Sequence, residues 1–417
     1  MTKKSDAPAI RFKGFSDAWE QRKLSEITDK VTEKNAGLQY VETFTNSAEF
    51  GIISQRDFFD HDIAKLGSLD GYYIVKTEDF VYNPRISTSA PVGPINRNKL
   101  GRTGVMSPLY TVFRPHDIDT TYLEYFFKCG YWHSFMNFNG DSGARSDRFS
   151  IRDNVFFQMP IPIPDIDEQR KIGELLTCLD NLITLHQRKF EKLTNVKKSM
   201  LEKMFPQNGS SYPEIRFKGF TDPWEQRKLS ELTSMHARIG WQNLRTSEFL
   251  DSGNYMLITG TDFNDGAINF STCHYVERER YEQDRNIQIH NGSILITKDG
   301  TLGKVAYVQG LSMPATLNAG VFNVQIKDAN NVDEKYLFQY LKAPFLMDYV
   351  DKKATGGTIK HLNQSILVDF PVILPQRSEQ TLIGAFFLQL DNLITLHQRE
   401  LEKLQNIKKS MLEKMFV

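Results

Sequence analysis

Asp180-Asn-Leu-Ile-Thr-Leu-His-Gln-Arg188 occurs a second time, letter for letter, as Asp391-Asn-Leu-Ile-Thr-Leu-His-Gln-Arg399. The match continues from each copy to the sequence Lys-Ser-Met-Leu-Glu-Lys-Met-Phe, which ends at Phe205 and at Phe416. Apolar residues around each copy follow one another in alternating steps of four and three, which is the heptad pattern of a coiled coil. The chain therefore predicts two matching long α-helices.

The two apolar stripes are not stable in water alone, so they most simply bury each other as an antiparallel helical pair. A helix of about 38 residues is about 57 Å long, so such a pair can separate the parts of the chain at its two ends. The predicted seam positions are Ile172, Leu176, Leu179 and Ile183 in the first helix and Ile383, Phe387, Leu390 and Ile394 in the second.

A second repeat precedes each insert of unrelated sequence. Ile10-Arg-Phe-Lys-Gly-Phe-Ser-Asp-Ala-Trp-Glu-Gln-Arg-Lys-Leu-Ser-Glu26 returns almost unchanged from Ile215 to Glu231. The stretches between the repeats, from about 20 to 160 and from about 225 to 375, hardly resemble each other. Two like frames around two unlike inserts predict a protein that holds two different things in one fixed geometry.

Both inserts have the patterns of mixed α and β structure. Short β-branched and aromatic runs bounded by turn residues predict strands at 72–75, 80–82, 109–113, 293–297 and 322–326, and apolar runs predict helices at 122–128 and 336–341. The predicted fold class is α+β, with two α/β domains joined by two long antiparallel coiled-coil helices in a pseudo-two-fold internal repeat. The predicted segments are 1–164 (first domain), 165–208 (first long helix), 209–377 (linker and second domain) and 378–417 (second long helix).

Composition limits the class of protein. The chain has 417 residues, of which 40% are hydrophobic and 24% charged, as in folded soluble proteins. The formal net charge is +0, so a surface that binds nucleic acid would have to be a local patch. The 3 cysteines lack metal-site spacing, the N-terminus has no apolar core, and no apolar run approaches the roughly 20 residues of a membrane span. A cytoplasmic protein is expected.

Catalytic motifs are weak or missing. Gly300-Thr-Leu-Gly-Lys304 is too short for a phosphate-binding loop, and the chain has neither a dinucleotide fingerprint nor a nucleophile elbow. The acidic cluster Asp165-Ile-Asp-Glu168 stands where a helix begins, so capping explains it better than a metal site does. We therefore expect no catalytic residue and no metal ligand on this chain.

Polar loops with glycine and cations are better functional candidates. Glycine lets backbone N–H groups approach a phosphate, lysine supplies charge, and Arg and Asn side chains can read base edges. Such loops occur at 97–102, 139–148, 297–304 and 352–361. Taken singly, each is weak evidence, and a solvated surface loop is the simpler interpretation.

The layout resembles the specificity subunit of type I restriction–modification systems. Matching features are a proline-rich exit, then Glu-Gln, then a long heptad helix, at Pro160–Gln169 and at Pro371–Gln380. Gly356–Leu362 also looks like the family's closing loop ahead of that exit, whereas the first insert departs from it at Asp141–Phe149.

The resemblance implies a non-catalytic DNA-recognition subunit. Each insert would be a target recognition domain that reads one half of a bipartite, asymmetric site in double-stranded DNA. The helices would set the unread gap and dock two methylation subunits, which restriction subunits join. No cofactor is expected on this chain, and S-adenosylmethionine, ATP and magnesium are expected on the partners.

Two sets of residues are predicted to contact DNA, with lysines holding phosphates and arginines reading guanines. The first set is Arg85, Arg97, Lys99, Arg102, Arg145 and Arg148, and the second is Lys298, Lys304, Lys352, Lys353, Thr358, Lys360 and His361. One alternative is a protein–protein scaffold with two ligand-binding modules and no DNA role, which the near-zero charge favours slightly. Another is a nuclease with its own site, which no carboxylate constellation supports.

Overall fold

The computed structural model of the chain describes residues 8–60, 66–141, 147–207, 209–353 and 362–416. The chain forms two compact units, with unit 1 comprising Met1–Gln187 and Arg399–Val417 and unit 2 comprising Arg188–Gln398. Each unit contains one insert and a part of both long helices. This division cuts through the long helices, whereas the predicted segments treat each helix as a separate piece.

In unit 1 the chain alternates short strands with short helices. The strands are β1 (Glu20–Lys23), β2 (Thr28–Lys30), β3 (Phe44–Ser47), β4 (Gly51–Ser54), β5 (Tyr73–Val75), β6 (Phe80–Tyr82), β7 (Ile95–Arg97), β8 (Gly104–Met106), β9 (Thr111–Pro115) and β10 (Pro160–Ile163). The helices are α1 (Gln55–Phe59), α2 (Thr120–Lys128), α3 (Tyr131–Asn139) and α4 (Asp153–Phe156). The long helix α5 (Ile166–Lys203) begins in unit 1 and ends in unit 2.

Unit 2 repeats this plan with additional short strands. Its strands are β11 (Glu225–Lys228), β12 (Thr233–His236), β13 (Met256–Ile258), β14 (Phe263–Asn264), β15 (Ala267–Ile268), β16 (His274–Tyr275), β17 (Gln288–Ile289), β18 (Ile294–Thr297), β19 (Val305–Tyr307), β20 (Ala315–Leu317), β21 (Val321–Ile326) and β22 (Pro371–Leu374). Its helices are α6 (Leu229–Leu232), α7 (Arg278–Glu282), α8 (Glu334–Lys342), α9 (Phe345–Lys353) and α10 (Gln364–Leu367). The second long helix, α11 (Arg377–Lys414), begins in unit 2 and ends in unit 1.

The predicted elements of the inserts are confirmed. The five predicted strands correspond to β5, β6, β9, β18 and β21, and the two predicted helices to α2 and α8. The long helices are also confirmed, each with 38 residues. The proline-rich exits form β10 and β22, which pair antiparallel with the repeated strands β1 and β11 in the same register. Each insert is therefore closed by a two-stranded sheet at its base.

The central sheets of the two units have the same topology despite their unrelated sequences. Their strand orders are β2-β9-β6-β7 and β12-β21-β18-β19, and every pair in both is antiparallel. Each unit also contains a parallel pairing of extended segments, between Thr43 and Val105 in unit 1 and between β13 and β20 in unit 2. Each unit also has a two-stranded hairpin against the last strand of its central sheet, β3–β4 beside β7 and β14–β15 beside β19. The two inserts are thus variants of one fold.

Each unit has a core rich in aromatic residues. In unit 1, Phe80 and Phe113 are fully buried between the central sheet and α2, with ring centroids 5.6 Å apart. Phe416, at the end of α11, belongs to the same core and lies 5.4 Å from the ring of Tyr122. In unit 2, Phe205 at the end of α5 takes the corresponding place beside Tyr336, at 5.8 Å. The repeated Met-Phe endings therefore anchor the long helices.

The predicted seam residues are mostly buried, but they contact more than the other helix. Those at the start of α5 belong to the core of unit 1, together with the last turns of α11, and those at the start of α11 belong to the core of unit 2. Further along, Ile183 is half-buried and Ile394 is 6% exposed. In each unit the start of one long helix lies beside the end of the other, so the helices are antiparallel. The buried seam positions are Ile172, Leu176, Leu179, Ile383, Phe387, Leu390 and Ile394.

Candidate nucleic-acid interface

A buried ion pair ties each repeated N-terminal segment to the start of a long helix. Arg11 donates to both carboxylate oxygens of Glu168, at 2.7 and 2.8 Å, and Arg216 does the same with Glu379, at 2.8 Å for both contacts. Both glutamates are 0% exposed. Loss of water raises the cost of a buried carboxylate, so the bidentate arginine is needed to hold it. This explains why Arg and Glu recur in both halves.

The glutamine after each of these glutamates positions the helix that covers the core. The side-chain oxygen of Gln169 accepts from the backbone N–H of Asp119 at 2.9 Å, and that of Gln380 accepts from Asp333 at the same distance. Each aspartate in turn accepts from the first N–H groups of α2 or α8, so it is the N-cap of that helix. The Glu-Gln pair therefore holds two elements against the start of each long helix. The glutamate binds the repeated N-terminal segment, and the glutamine binds the start of α2 or α8.

The repeated Asp-Asn-Leu-Ile motifs link three elements in each unit. Asp180 lies 2.5 Å from the Lys408 ammonium of α11 and accepts from the Tyr125 hydroxyl of α2 at 2.8 Å. Asp391 lies 2.5 Å from Lys197 of α5 and accepts from Gln339 of α8 at 2.8 Å. We call these two sets, with the Arg–Glu and Gln–Asp contacts above, the frame contacts.

Burial lowers the pKa of Lys197, and the neighbouring cation Lys342 acts in the same direction, opposed by Asp391. Lys342 also contacts Asp391 at 3.5 Å. One carboxylate therefore serves two lysines in unit 2. In unit 1, Asp180 likewise has Lys408 at 2.5 Å and Lys128 at 4.0 Å.

Two glycines let the covering helices approach the long helices closely. A Cβ at Gly384 would lie 2.6 Å from the backbone nitrogen of Tyr336. At Gly173 it would lie 3.1 Å from a side-chain carbon of Thr121. The close approach is therefore tighter in unit 2, where backbone rather than a side chain fills the space.

The loop after β6 brings two of the predicted DNA-binding residues together. Arg85 and Arg148 form an isolated antiparallel bridge, with Phe149 N–H donating to Pro84 at 2.7 Å. The Arg85 side chain is 63% exposed and its nearest carboxylate is that of Asp147, at 3.9 Å. Arg148 is half-buried. Two cations thus meet at the end of the central sheet.

Arg97 lies at the other end of β6, opposite Phe80, and the structure argues against a DNA contact there. Its side chain is only 8% exposed, and the guanidinium lies 2.9 Å from Glu78 and 2.5 Å from Glu124. It also donates to Thr120 at 2.7 Å. This arginine joins β7 to α2, and moving it to a phosphate would leave two carboxylates without their partner.

Lys99 and Arg102 also carry contacts within unit 1. Lys99 is 60% exposed and lies 3.3 Å from Glu124. Arg102 holds both oxygens of Glu42, at 2.8 and 2.7 Å, and this contact lowers the pKa of Glu42. Both side chains reach the surface, but they lie beyond β7 and not with Arg85.

In unit 2, Lys298 and Lys304 flank the loop after β18. The backbone of Lys298 accepts from Leu362 N–H at 2.8 Å, so this loop meets the segment ahead of α10 just as the β6 loop meets the segment ahead of α4. The Lys298 ammonium lies 5.4 Å from the ring centroid of Phe322, and Lys304 is exposed. The cations of this loop therefore occupy the position of Arg85.

Lys352 and Lys353 are exposed at the last turn of α9. Helix α9 packs on the β18 loop, since a Cβ at Gly303 would lie 2.1 Å from the sulfur of Met347. Both lysines are therefore carried by a helix that supports the loop. The predicted residues Arg145, Thr358, Lys360 and His361 lie outside the described residues.

Sequence reasoning missed a network of buried asparagines that supports the β6 loop. Asn46 on β3 donates to the carbonyl of Val81 at 2.7 Å, and Asn83 donates to the carbonyl of Asn46 at 2.7 Å. Asn96 donates to the side chain of Asn46 at 2.7 Å. Asn83 also accepts from the backbone N–H of Arg85 at 3.0 Å. Only the spacing of single asparagines in strands hinted at this, which is too weak a signal alone.

In unit 2 a different polar side chain is buried, that of Arg238, which is 2% exposed. It donates to the carbonyl of Leu317 at 3.0 Å and to the side chain of Gln283 at 3.2 Å. Burial is the main cause that lowers its pKa, and Arg280 adds to the effect. Arg238 thus links the segment after β12 to β20.

Within the described ranges, no three side chains of His, Cys, Asp or Glu converge as a metal site would require. No helix there combines the length and apolar character of a bilayer crossing.

Comparison with known proteins gives a consistent result. The family model of the type I restriction modification DNA specificity domain matches twice, over residues 16–195 and 221–406. Two curated relatives from Methanocaldococcus jannaschii are each 24% identical: the type I restriction enzyme MjaVIII specificity subunit, over 62% of this chain and 61% of its own length, and the putative MjaX specificity subunit, over 63% and 60%. The chain thus spans about three fifths of these relatives.

The fold also matches a solved structure. The crystal structure of a type I restriction–modification system S subunit from M. genitalium superposes with a TM-score of 0.63 at 14% identity, covering 99% of both chains. None of these comparisons supports the alternative of a protein–protein scaffold without a DNA role. The frame contacts, the fold of the inserts and the match to the family model all occur twice along the chain. The chain belongs to the type I restriction–modification DNA specificity family.

Proposed function

We propose that this chain is the DNA-recognition subunit of a type I restriction–modification complex, in which each insert reads one half of a bipartite, asymmetric site in double-stranded DNA. The observation that carries the proposal is the contrast within the chain. The Arg–Glu, Gln–Asp and Asp–Lys contacts of the frame recur in both units, whereas the loops after β6 and β18 share a position and little chemistry. Like frames with unlike loops suit two unlike half-sites.

The proposed division of labour follows the predicted segments. Residues 1–164 and 209–377 supply the two recognition domains, and the helices at 165–208 and 378–417 set the spacing between half-sites. One turn of DNA spans about 34–36 Å, which a helix of 38 residues, about 57 Å long, exceeds. Two linked recognition events also act at a high effective concentration, so each need only be modest.

A repeated face on the long helices supports docking of two copies of one methylation subunit. Shallow grooves of about 520 and 570 Å³ occur at the same heptad positions of α5 and α11. Their linings correspond residue by residue, with Arg188, Glu191, Lys192, Asn195, Val196 and Ser199 on α5 and Arg399, Glu402, Lys403, Asn406, Ile407 and Ser410 on α11. Like faces bind like partners, and restriction subunits would join the resulting complex.

Within the recognition domains, the geometry favours Arg85 and Arg148 in unit 1 and Lys298, Lys304, Lys352 and Lys353 in unit 2 as DNA contacts. These cations lie at or beside the loops that end the central sheets. Lysines suit phosphates and arginines suit guanine edges. Thr358, Lys360 and His361 remain predictions, as do Arg145, Lys99 and Arg102.

The chemistry of the complex is proposed to reside on the partners. Methylation of adenine would use S-adenosylmethionine on the methylation subunits, and cleavage would use ATP and magnesium on the restriction subunits. This chain would then act through recognition alone, in the cytoplasm where the DNA is.

The test is a map of methylated adenines in cells that contain this chain and its methylation subunit. Replacement of residues 24–159 by the corresponding insert of a relative keeps β1, β10, the Arg11–Glu168 pair and the Asp180–Lys408 contact in place. We expect this exchange to change one half of the methylated motif and leave the other half and the gap unchanged. Replacement of residues 229–370 is the matched control and should change only the other half. A motif unaffected by either exchange would refute the proposal.

A further inference from the structure

The β3–β4 hairpin of unit 1 presents an exposed aromatic tip. Phe50 is 60% exposed, and its ring packs edge to face against Phe58 of α1, with centroids 6.2 Å apart. Phe58 is 40% exposed and packs against Phe59 at 4.6 Å. Exposure of two adjacent large rings is unfavourable in water, so a pair of this kind commonly marks a binding surface.

The tip is held rigidly. The Ser47 hydroxyl accepts from the N–H groups of Glu49 and Phe50, at 3.2 and 3.3 Å. Gly51 follows with φ +70°, a left-handed conformation that favours glycine. A rigid tip can place a ring against a partner without a large loss of conformational entropy on binding.

The asparagine network links this hairpin to the candidate DNA surface. Asn46, one residue before Ser47, is 1% exposed and bonds to β6 through Val81. Asn83 accepts from Arg85 N–H and donates to Asn46, so the hairpin is hydrogen-bonded to the start of the Arg85 loop. Cations beside an exposed ring are the combination with which proteins hold phosphates and stack on bases.

The neighbouring charges are mixed. Glu49 precedes the ring on the tip, Asp57 lies on α1, and Asp147 lies 3.9 Å from Arg85. The acidic residues make a nonspecific electrostatic attraction weak. They agree better with a tip that gains its binding energy from contact with bases than with one that follows phosphates.

Unit 2 lacks this feature at the matching position. There the hairpin β14–β15 contacts β19 as β3–β4 contacts β7, and its turn is Asp265-Gly266. The aromatic residue of this hairpin, Phe263, is only 7% exposed and belongs to a core cluster. The exposed ring is therefore a property of the first recognition domain and not of the shared fold.

From these observations we infer that Phe50 stacks on a base of the half-site read by unit 1, with Phe58 supporting its ring. The inference rests on the proposed function, because it assigns a residue to the DNA surface of that proposal. Base–aromatic stacking does not require hydrogen bonds to the base, so Phe50 contributes affinity and Arg85 supplies charge.

The experiment measures binding of the full chain, assembled with its methylation subunit, to a duplex that carries the mapped methylation motif. Phe50→Ala is expected to weaken binding about 10-fold, less than the full range of base–aromatic contacts in single strands, because a ring that stacks in a duplex must first unstack a base step. The dependence of affinity on salt should not change, since no charge is removed. Tyr212→Ala, which removes another exposed ring (53% exposed), is the control and should bind as the wild type does.

Two further variants separate the ring from apolar bulk and from folding. Phe50→Leu keeps apolar volume and should lose affinity as Phe50→Ala does, whereas Phe50→Trp should retain it. If Phe50→Ala fails to fold, the comparison of the Leu and Trp variants decides. Equal affinity of these two variants would overturn the inference.

A second duplex, with the half-site of unit 1 scrambled, locates the contact. Wild type and Phe50→Ala should bind this duplex equally, because unit 1 no longer docks specifically on a scrambled half-site and the ring is not brought to its base. A persistent difference would overturn the inference, as would loss of assembly with the methylation subunit in Phe50→Ala, which would make the tip a protein-docking site. If the wild-type complex itself cannot distinguish the motif from a scrambled duplex, the proposed function fails instead.

Discussion

The Arg11–Glu168 pair of unit 1 and the Arg216–Glu379 pair of unit 2 have nearly the same geometry, whereas the loops after β6 and β18 share only their position. Between these extremes, the central sheets keep one strand order with unrelated residues. A small number of repeated side chains is therefore enough to fix the geometry of each recognition domain on its helices. The loops are then free to differ, which is what recognition of two different half-sites requires.

The largest effect is expected from breaking a frame ion pair. Glu168→Ala and Glu379→Ala each leave a partly buried arginine without its partner, which typically costs about 3–5 kcal/mol. Hydrogen exchange should show lost protection at the start of α5 in the first variant and at the start of α11 in the second.

The two variants also test whether the frames are equivalent. In unit 1, Trp19 also donates to Glu168, at 3.3 Å, whereas the indole nitrogen of Trp224 has no hydrogen-bond partner among the described residues. Glu168→Ala should therefore be the more damaging by about 1 kcal/mol. Glu174→Ala, at an exposed position of α5, is the control and should change stability by about 0.5 kcal/mol or less. Like effects at all three positions would contradict the account.

A smaller effect should distinguish the two glycine contacts. Gly384→Ala forces a Cβ to within 2.6 Å of backbone and should destabilise unit 2 by about 1–3 kcal/mol. Gly173→Ala meets a side chain at 3.1 Å, and alanine favours a helix by up to about 1 kcal/mol over glycine, so its net effect should be near zero. Chemical denaturation measures both. A larger loss for Gly173→Ala would show that the closer packing is in unit 1.

Acid should lower the stability of unit 1 through Glu124 of α2. The matching position of α8 in unit 2 holds the buried Phe338, which does not titrate. Burial alone would raise the pKa of Glu124, but Lys128, Arg97 and Lys99 outweigh it and hold the pKa below its usual value. A carboxylate with a lowered pKa stabilises the fold above its unfolded pKa, about 4.5, and this contribution is lost as the pH falls through the folded value.

Glu124→Gln removes the titration and keeps the shape of the side chain. Thermal unfolding of unit 1 between pH 6 and pH 3 should therefore depend less on pH in this variant than in the wild type. An unchanged pH dependence would mean that other carboxylates dominate the response to acid.

The smallest effect concerns charge at the candidate interface. Arg85→Ala should weaken DNA binding several-fold and reduce the slope of log affinity against log salt by about 1, as loss of one phosphate contact does. Arg97→Ala should leave that slope unchanged and lower stability instead, because Arg97 binds Glu78 and Glu124. If Arg97→Ala reduced the salt slope and Arg85→Ala left it unchanged, the DNA surface would lie at Arg97 and not at Arg85.

The repeats made the frame predictable from sequence, while the interface was predictable only in part. Heptad spacing predicted α5 and α11 because side-chain periodicity follows directly from helix geometry. The burial of Ile172 and Leu176 in a domain core, as well as beside the other helix, could not follow from periodicity, which does not name the partner of an apolar face. Arg97 and Arg85 are both arginines near turns, and only the strand pairing showed that carboxylates hold the first and solvent surrounds most of the second.

The central claim is that the two frames are equivalent and that each recognition domain reads its half-site independently. The most direct test exchanges the two domains, placing residues 229–370 in the first frame and 24–159 in the second. If the frames are equivalent, the exchange only changes which frame carries which recognition domain, and the same bipartite site is read from the other strand. Mapping of methylated adenines should then return the original motif, with both half-sites and the gap unchanged. A methylated motif with a different gap or an altered half-site would show that the frames are not equivalent and would contradict the account.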